Sequence, residues 1–288
     1  MSVGFSRVGF IGLGNIGLPM AKRLVAAGLD TTVYDVVSGR AAGLAGARAA
    51  ASPREVASVS DVVGLCVRDD ADVRAVMLGD AGVLAGAAPG TIVAIHSTVQ
   101  PATVIEVAAF AAERAVGVVD SCITGGAAGA GAGTLTVMVG GDAAHVDRAR
   151  PFFDCFAKKV VHTGPLGSGC KMKLCNNLMT YLAWTAAYEA MLLARAAGLP
   201  QETLEEVTGS NGNLTDPMRA FLALHKAPEA TRSSEGFQSM MRGFVEIAEK
   251  DLAASLALAR ECGIALPGTA MASQIMARVY GLDDENRR

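Results

Sequence analysis

Lys173 and Asn177 stand four residues apart in Gly167-Ser-Gly-Cys-Lys-Met-Lys-Leu-Cys-Asn-Asn177, a spacing that puts both side chains on one face of a helix, one turn apart. A lysine beside an amide in apolar surroundings is suited to proton transfer. Desolvation lowers an ammonium pKa toward neutrality, as proton transfer near neutral pH requires. Lys171, two positions back, points elsewhere, toward solvent. Surface lysines greatly outnumber catalytic ones, so Lys173 gains its weight from this partner and from its place just past a change in the character of the chain.

A second group of residues points to a phosphate-bearing ligand. Gly12-Leu-Gly-Asn-Ile-Gly17 follows an apolar run, Val8 to Ile11, that reads as a strand, and it opens a helical pattern from Ile16 to Ala27 closed by Gly28. The next strand, Thr31 to Tyr34, is followed by Asp35, 18 positions after Gly17. Gly-x-Gly-x-x-Gly by itself is a weak signal in a chain with 33 glycines, but strand, loop, helix, strand and acid in this order have a physical reading. Gly12 permits the tight turn, Gly14 lets backbone approach a pyrophosphate, and Gly17 permits close packing of helix on sheet. The exposed N–H groups around Asn15 and Ile16, at the positive end of the helix, then hold the pyrophosphate. Asp35 can accept from both adenosine ribose hydroxyls and repels a 2′-phosphate, which favours NAD. Arg40, five residues on, can reach a phosphate and keeps NADP open as the second cofactor.

The elements that must position these residues change character partway along the 288-residue chain. Before Gly164-Pro165, short apolar runs alternate with helical patterns. Strands are expected at 8–11, 31–34, 61–67, 91–95, 116–120, 134–139 and 159–162. Helices are expected from the Ser52-Pro53-Arg54-Glu55 capping box, around 70–78, and from Pro101 to about Ala115. Beyond that break, Ala, Leu and Met recur at helical spacing with no convincing strand, and helices are expected at 168–197, 201–207, 216–225, 239–262 and 269–280. The pattern predicts an α/β Rossmann-like N-terminal domain with a mainly parallel sheet, residues 1–165. An all-α C-terminal domain, residues 166–288, follows, joined by a long bridging helix, with the active site expected in the cleft between the two.

Composition narrows the function classes. With 51% hydrophobic and 18% charged residues the chain reads as globular, and a net charge of -3 gives no footprint for nucleic acid. No secretory signal is read at the start, and the longest apolar stretch, 178–194, is broken by Thr180, Thr185 and Glu189, so a buried helix is expected there rather than a membrane span. The six cysteines form no C-x-x-C pair and the four histidines are scattered, so no metal site is read, and small buried thiols in a reducing cytoplasm are expected. The helices from 168 onward carry more apolar surface than a small lobe can bury, which predicts a homodimer or homotetramer.

On four blocks in order, the chain resembles the β-hydroxyacid dehydrogenase family, of the 3-hydroxyisobutyrate dehydrogenase and tartronate semialdehyde reductase kind. The blocks are Gly12-Leu-Gly-Asn-Ile-Gly-Leu-Pro-Met-Ala21, Asp120-Ser-Cys-Ile-Thr-Gly-Gly126 running on to Gly133–Gly141, Gly167–Asn177, and Lys250-Asp-Leu252. The resemblance implies an oxidoreductase that interconverts a small carboxylate-bearing β-hydroxy acid and its semialdehyde or keto form, with a 6-phosphogluconate dehydrogenase-like C-terminal domain. It implies Lys173 as the proton-transfer residue and Asn177 as its partner on the substrate. Thr124, Gly125 and Gly126 would bind the substrate carboxylate, and Thr98 and Lys250 would lie beside the nicotinamide. Glycine N–H groups suit a carboxylate because nothing blocks its approach; the competing reading of the 125–133 Gly/Ala tract is a flexible linker.

The chain departs from the family pattern at Thr124, where serine is usual, and at His96, where an acid is usual. It departs also at Arg68 and Cys122, both in place of proline. Phe237 and Phe244 precede Lys250 at a spacing unlike that of relatives. His96 reads either as a structural histidine or as a group titrating near the nicotinamide, and Arg68 as a cation for a phosphate or a second substrate carboxylate. These departures bear on the substrate rather than the reaction class. Two other readings compete. An imine reductase or reductive aminase of similar architecture would usually lack the Lys-x-x-x-Asn pair, and a non-catalytic dehydrogenase-like oligomerisation domain would be marked by loss of the lysine.

Overall fold

The computed structural model describes residues 5–37 and 39–283, which divide into two compact units, the first ending at Lys173 and the second starting at Leu174. The first unit runs β1 (Arg7–Ile11), α1 (Gly17–Ala26), β2 (Asp30–Tyr34), β3 (Arg48–Ala49), α2 (Pro53–Ser58), β4 (Val62–Leu65), α3 (Asp70–Leu78), β5 (Ile92–Ile95), α4 (Pro101–Ala112), β6 (Gly117–Thr124), α5 (Gly126–Ala132), β7 (Leu135–Gly140), α6 (Ala143–Asp154) and β8 (Ala157–Gly164). Then α7 (Ser168–Ala196) begins in the first unit and continues into the second. The second unit adds α8 (Gln201–Ser210), α9 (Asp216–Leu224), α10 (Glu229–Arg232), α11 (Glu235–Glu261) and α12 (Pro267–Val279).

One eight-stranded sheet, in the order β3-β2-β1-β4-β5-β6-β7-β8, forms the first unit. Every neighbouring pair is parallel except β6 with β7. The chain reverses direction across the sheet between β1 and β4, a switch point of the kind where open α/β sheets bind ligands. The central strands are buried on both faces, and so β4 and β5 read as continuous apolar runs rather than alternating ones. Phe10 of β1 stacks with Phe152 of α6 across one face of the sheet, joined by Phe153 and Phe156.

The expected mainly parallel sheet and helical C-terminal half are both present. Besides the four-residue α10, three elements went unread. The edge strand β3 has only two residues and no periodicity to detect. α6 carries Pro151 within it, a residue that argues against a helix interior in any reading of sequence alone. The Gly/Ala tract, for which a linker competed, forms α5, and Gly131 lies beside Pro19 of α1. Three glycines in seven residues give that helix little intrinsic propensity, so packing sustains it.

In the second unit α7, α11 and α12 bury a core around Tyr181, Met191, Met241, Val245, Leu252 and Met276. On α11, Met241, Val245, Ala248 and Leu252 recur at helical spacing on its buried face. Trp184 lies flat on Phe221, ring centres 5.3 Å apart, and edge-on to Tyr181 at 5.7 Å. Among the described residues no helix is long and apolar enough to cross a membrane, and no group of His, Cys, Asp or Glu is arranged to hold a metal ion.

Candidate functional site

At the carboxyl edge of the sheet the first unit collects most of the residues singled out by the sequence. The glycine loop leaves β1, Asp35 follows β2, Ser97 and Thr98 follow β5, and Thr124 ends β6 with Gly125 and Gly126 beyond it. The three loop glycines answer to three different constraints. Gly12 has φ +91°, and a Cβ there would strike the Cys66 carbonyl. A Cβ at Gly17 would strike the Gly12 carbonyl, so this glycine lets α1 close onto the turn. Gly14 alone faces open space, with nothing within 4 Å of its missing Cβ. Its bareness serves no packing need, which fits a backbone approached closely by a ligand.

The helix behind the loop has the chemistry for an anion. Ile16 caps α1 without a side-chain hydrogen bond and its first turn holds no acid, so side chains leave the first N–H groups and the positive helix end unanswered. Asn15 is exposed beside them. Asp35 is already engaged: its carboxylate accepts from the Leu13 N–H at 2.6 Å and the Val37 N–H at 2.7 Å, and Arg40 lies 3.5 Å from Oδ1. The acid thus ties the loop to the end of β2, with the Arg40 guanidinium beside it. These residues fit a dinucleotide: an uncapped helix end, a bare glycine in front of it, and a carboxylate at the next strand.

The hydroxyl of Ser97, next to Thr98, donates to the Val67 carbonyl at 2.9 Å and accepts from the Val67 N–H at 2.9 Å. It fastens the end of β5 to the loop after β4. Thr98 and Thr124 are half-buried. Gly125 and Gly126 have φ +124° and +63°, values that disfavour any side chain, and no atom lies within 4 Å of a Cβ built on Gly126. The backbone at Gly126 is therefore open to a ligand.

His96 settles on the structural side of its two readings. Its ring lies nearly parallel to those of Phe10 and Phe152, with centres 5.9 and 6.1 Å away, and Phe153 and Phe156 stand edge-on to it. Nδ1 faces the Ser121 carbonyl at 2.8 Å, an acceptor that requires the proton on Nδ1. Nε2 is buried without a partner. Burial pushes the imidazole pKa down to about 4, against a smaller opposing effect of the Ser121 bond, so the ring is neutral at physiological pH. Arg68 is highly exposed and bound to Asp72 at 2.9 Å.

Asp120 was quoted in the sequence only as the first residue of a block. In the structure it anchors the start of α7. Fully buried, its Oδ1 accepts from the Gly167 N–H at 2.8 Å and its Oδ2 from the Cys170 N–H at 2.7 Å, so it answers donors at the N-terminal end of that helix. Burial pushes its carboxyl above the usual range, and the two backbone donors oppose that shift. The fit is close: a Cβ on Gly169 would meet the Met138 and Asp120 carbonyls at 2.6 and 2.7 Å. Cys122 and Cys170 also meet here, with sulfurs 3.7 Å apart. The expectation of uniformly buried thiols fails at Cys175 and Cys262, which are exposed.

Lys173 lies at the end of this anchored turn, half-buried, while Lys171 is exposed as expected. One turn on, Asn177 is 8% exposed, and its Nδ2 donates to Asp251 Oδ2 at 2.6 Å. Asp251, 1% exposed, also accepts from the Tyr181 hydroxyl at 3.2 Å and from Lys250 Nζ at 2.9 Å. Burial first, and Asp251 second, raise the Tyr181 hydroxyl well above its ordinary pKa, keeping it a neutral donor. Asp251 lay inside the Lys-Asp-Leu block, but no spacing rule links it to Asn177.

Comparison with known proteins covers both halves of the chain. A family model described as the NAD binding domain of 6-phosphogluconate dehydrogenase matches residues 7–164. A second, described as NAD-binding of NADP-dependent 3-hydroxyisobutyrate dehydrogenase, matches residues 167–286. The chain is 36% identical over 284 residues to the NAD-dependent L-serine dehydrogenase of Pseudomonas aeruginosa, covering 96% of this chain and 91% of that protein. It is 33% identical over 284 residues to the 2-(hydroxymethyl)glutarate dehydrogenase of Eubacterium barkeri, covering 97% and 92%. Among solved structures, the 3-hydroxyisobutyrate dehydrogenase of Mycobacterium tuberculosis with L-serine superposes with a TM-score of 0.80 at 30% identity, covering 95% of this chain and 93% of that one.

Proposed function

The chain belongs to the β-hydroxyacid dehydrogenase family and is an NAD(P)-dependent oxidoreductase, and on that premise we propose that it interconverts a short β-hydroxy acid with its semialdehyde or keto form, with Lys173 as the proton-transfer residue. The observation that carries this reading is the pair on α7: Lys173 half-buried, and one turn on an Asn177 whose amide is held by a buried carboxylate. Residues 1–165 carry the cofactor in this reading, and residues 166–288 serve substrate binding and assembly.

Bound along Gly12, Gly14, Asn15, Ile16 and Gly17, the cofactor supplies the hydride acceptor. Asp35 favours NAD, and the Arg40 guanidinium beside it supports NADP as a weaker alternative. Lys173 Nζ takes the proton of the substrate hydroxyl in oxidation and returns it in reduction. Asn177 donates an N–H to the substrate oxygen, while the Thr124 hydroxyl and the N–H groups of Gly125 and Gly126 hold the carboxylate. Thr98 and Lys250 border the nicotinamide. An imine reductase of similar architecture would usually lack the Lys173–Asn177 pair, and a non-catalytic domain would be marked by loss of the lysine, which is present.

The test is cofactor reduction with 3-hydroxyisobutyrate, L-serine, 3-hydroxypropionate and glycerate, comparing NAD with NADP. At least one acid should be oxidised, and Lys173→Ala should lower kcat about 10²–10⁴-fold. Cofactor binding with no acid oxidised would remove the assignment. The six free thiols suit a reducing cytoplasm. Met179 and Leu193 of α7, Met240 and Ile247 of α11, and Met271 of α12 are exposed apolar residues that support a homodimer or homotetramer formed through these helices. A monomer by light scattering at micromolar concentration would contradict that.

A further inference from the structure

We propose that Asp251 is the positioning residue that fixes which way the Asn177 amide faces, and thereby keeps one amide N–H directed to the substrate; this rests on the reading that Asn177 touches substrate. A side-chain amide can be turned over at little cost, exchanging its oxygen for its nitrogen. Asn177 lacks that freedom because one of its ends is specified. An ionised carboxylate is an acceptor only, so Asp251 Oδ2 at 2.6 Å requires the NH₂ group on its side. With that end set, the oxygen faces Asn176, whose Nδ2 donates to it at 3.1 Å. One amide proton is spent on Asp251 and the second remains to donate, so the residue works as a hydrogen-bond donor of fixed direction.

Asp251 can do this because its own charge is held. Lys250 Nζ, 2.9 Å from Oδ1, supplies a counter-charge, and the Tyr181 hydroxyl, 3.2 Å from Oδ2, supplies a neutral donor that burial keeps protonated. Burying a carboxylate to 1% exposure is costly unless it is paired and hydrogen-bonded in this way. The same oxygens therefore set Asn177 and restrain Lys250. Two residues assigned to the site by resemblance, 73 positions apart in the chain, are joined through one buried side chain that the resemblance left without a role.

Asp251→Asn is the discriminating variant. It keeps the shape but brings an NH₂ group against Asn177, which then turns over and presents its oxygen. On the acid that the wild type oxidises best, Asn177→Ala and Asp251→Asn should each lower kcat about 10²-fold, and the double variant should be no worse than either, because one acts through the other. Asp251→Glu should recover part of the loss. A role confined to folding would lower the melting temperature and leave kcat of the folded enzyme unchanged. That result, or losses that multiply to about 10⁴-fold in the double variant, would overturn the proposal. If the wild type oxidises none of the acids, the dehydrogenase reading fails instead, and side-chain amide exchange in protein labelled with ¹⁵N-asparagine decides the positioning. Slow exchange at Asn177 that becomes fast in Asp251→Asn supports it, and exchange unaffected by the change refutes it.

Discussion

The two units each bury a carboxylate, and they satisfy it in opposite ways. Asp120 at the end of the β5–β6 pairing is held by main-chain N–H groups of Gly167 and Cys170. Asp251 on α11 is held by the side chains of Asn177, Tyr181 and Lys250. Some other polar groups repeat the contrast, although Thr103 with the Asp70 side chain and His225 with the Val279 carbonyl run the other way. His96 and Ser97 bond to the main chain of Ser121 and Val67, whereas Gln201 donates to the Glu205 side chain and accepts from Arg195. Main-chain partners are fixed once the backbone is fixed, so a group that uses them anchors an element. Side-chain partners can be reoriented, so a group that uses them decides how other side chains point. Asp120 sets where α7 starts, and Asp251 sets what a residue on α7 presents.

The largest way to break this contrast is Asp120→Ala. It leaves two buried N–H groups at a helix start without acceptors, and roughly 4 kcal/mol of stability should be lost in urea unfolding. If instead stability held while kcat of the folded protein collapsed, Asp120 would be a positioning group like Asp251 and the contrast would be gone. Next in size is acid sensitivity through His96. Its folded pKa of about 4 lies below its ordinary 6.5, so the unfolded chain takes up the proton first. Its contribution is complete above pH 6.5 and is lost as pH falls toward 4, about 3 kcal/mol in all. Unfolding free energies measured across that range should fall about 3 kcal/mol further in the wild type than in His96→Phe; parallel curves would remove His96 as the cause. The smallest effect belongs to Tyr181→Phe, which takes one donor from Asp251 while Asn177 and Lys250 remain. Stability should fall about 1 kcal/mol with kcat nearly unchanged. A kcat loss as large as that of Asp251→Asn would mean that the hydroxyl, and not the amide, is what the carboxylate positions.

What the sequence made legible was whatever depends on neighbours along the chain. The glycine loop, the strand before it, Asp35 beyond it, and the one-turn spacing of Lys173 and Asn177 are local patterns, and the structure places each on the expected element. Asp251 is 74 positions from Asn177, and only the packing of α11 against α7 brings them together. His96 was ambiguous because its surroundings come from Phe152, Phe153 and Phe156, in and just after a helix that Pro151 concealed. Asp120 was in plain view within a block, yet nothing local says that its acceptors meet the start of a helix 47 positions on.

The aromatic cluster beside Asp251 gives the second unit an optical reporter of its own. Trp184 is the single tryptophan of the chain, and it touches the edge of the same Tyr181 ring whose hydroxyl reaches the carboxylate. Intrinsic emission excited at the indole band therefore comes from one known place. Quenching or a spectral shift on adding substrate, or on changing Asp251, reads the polarity around that ring without any label.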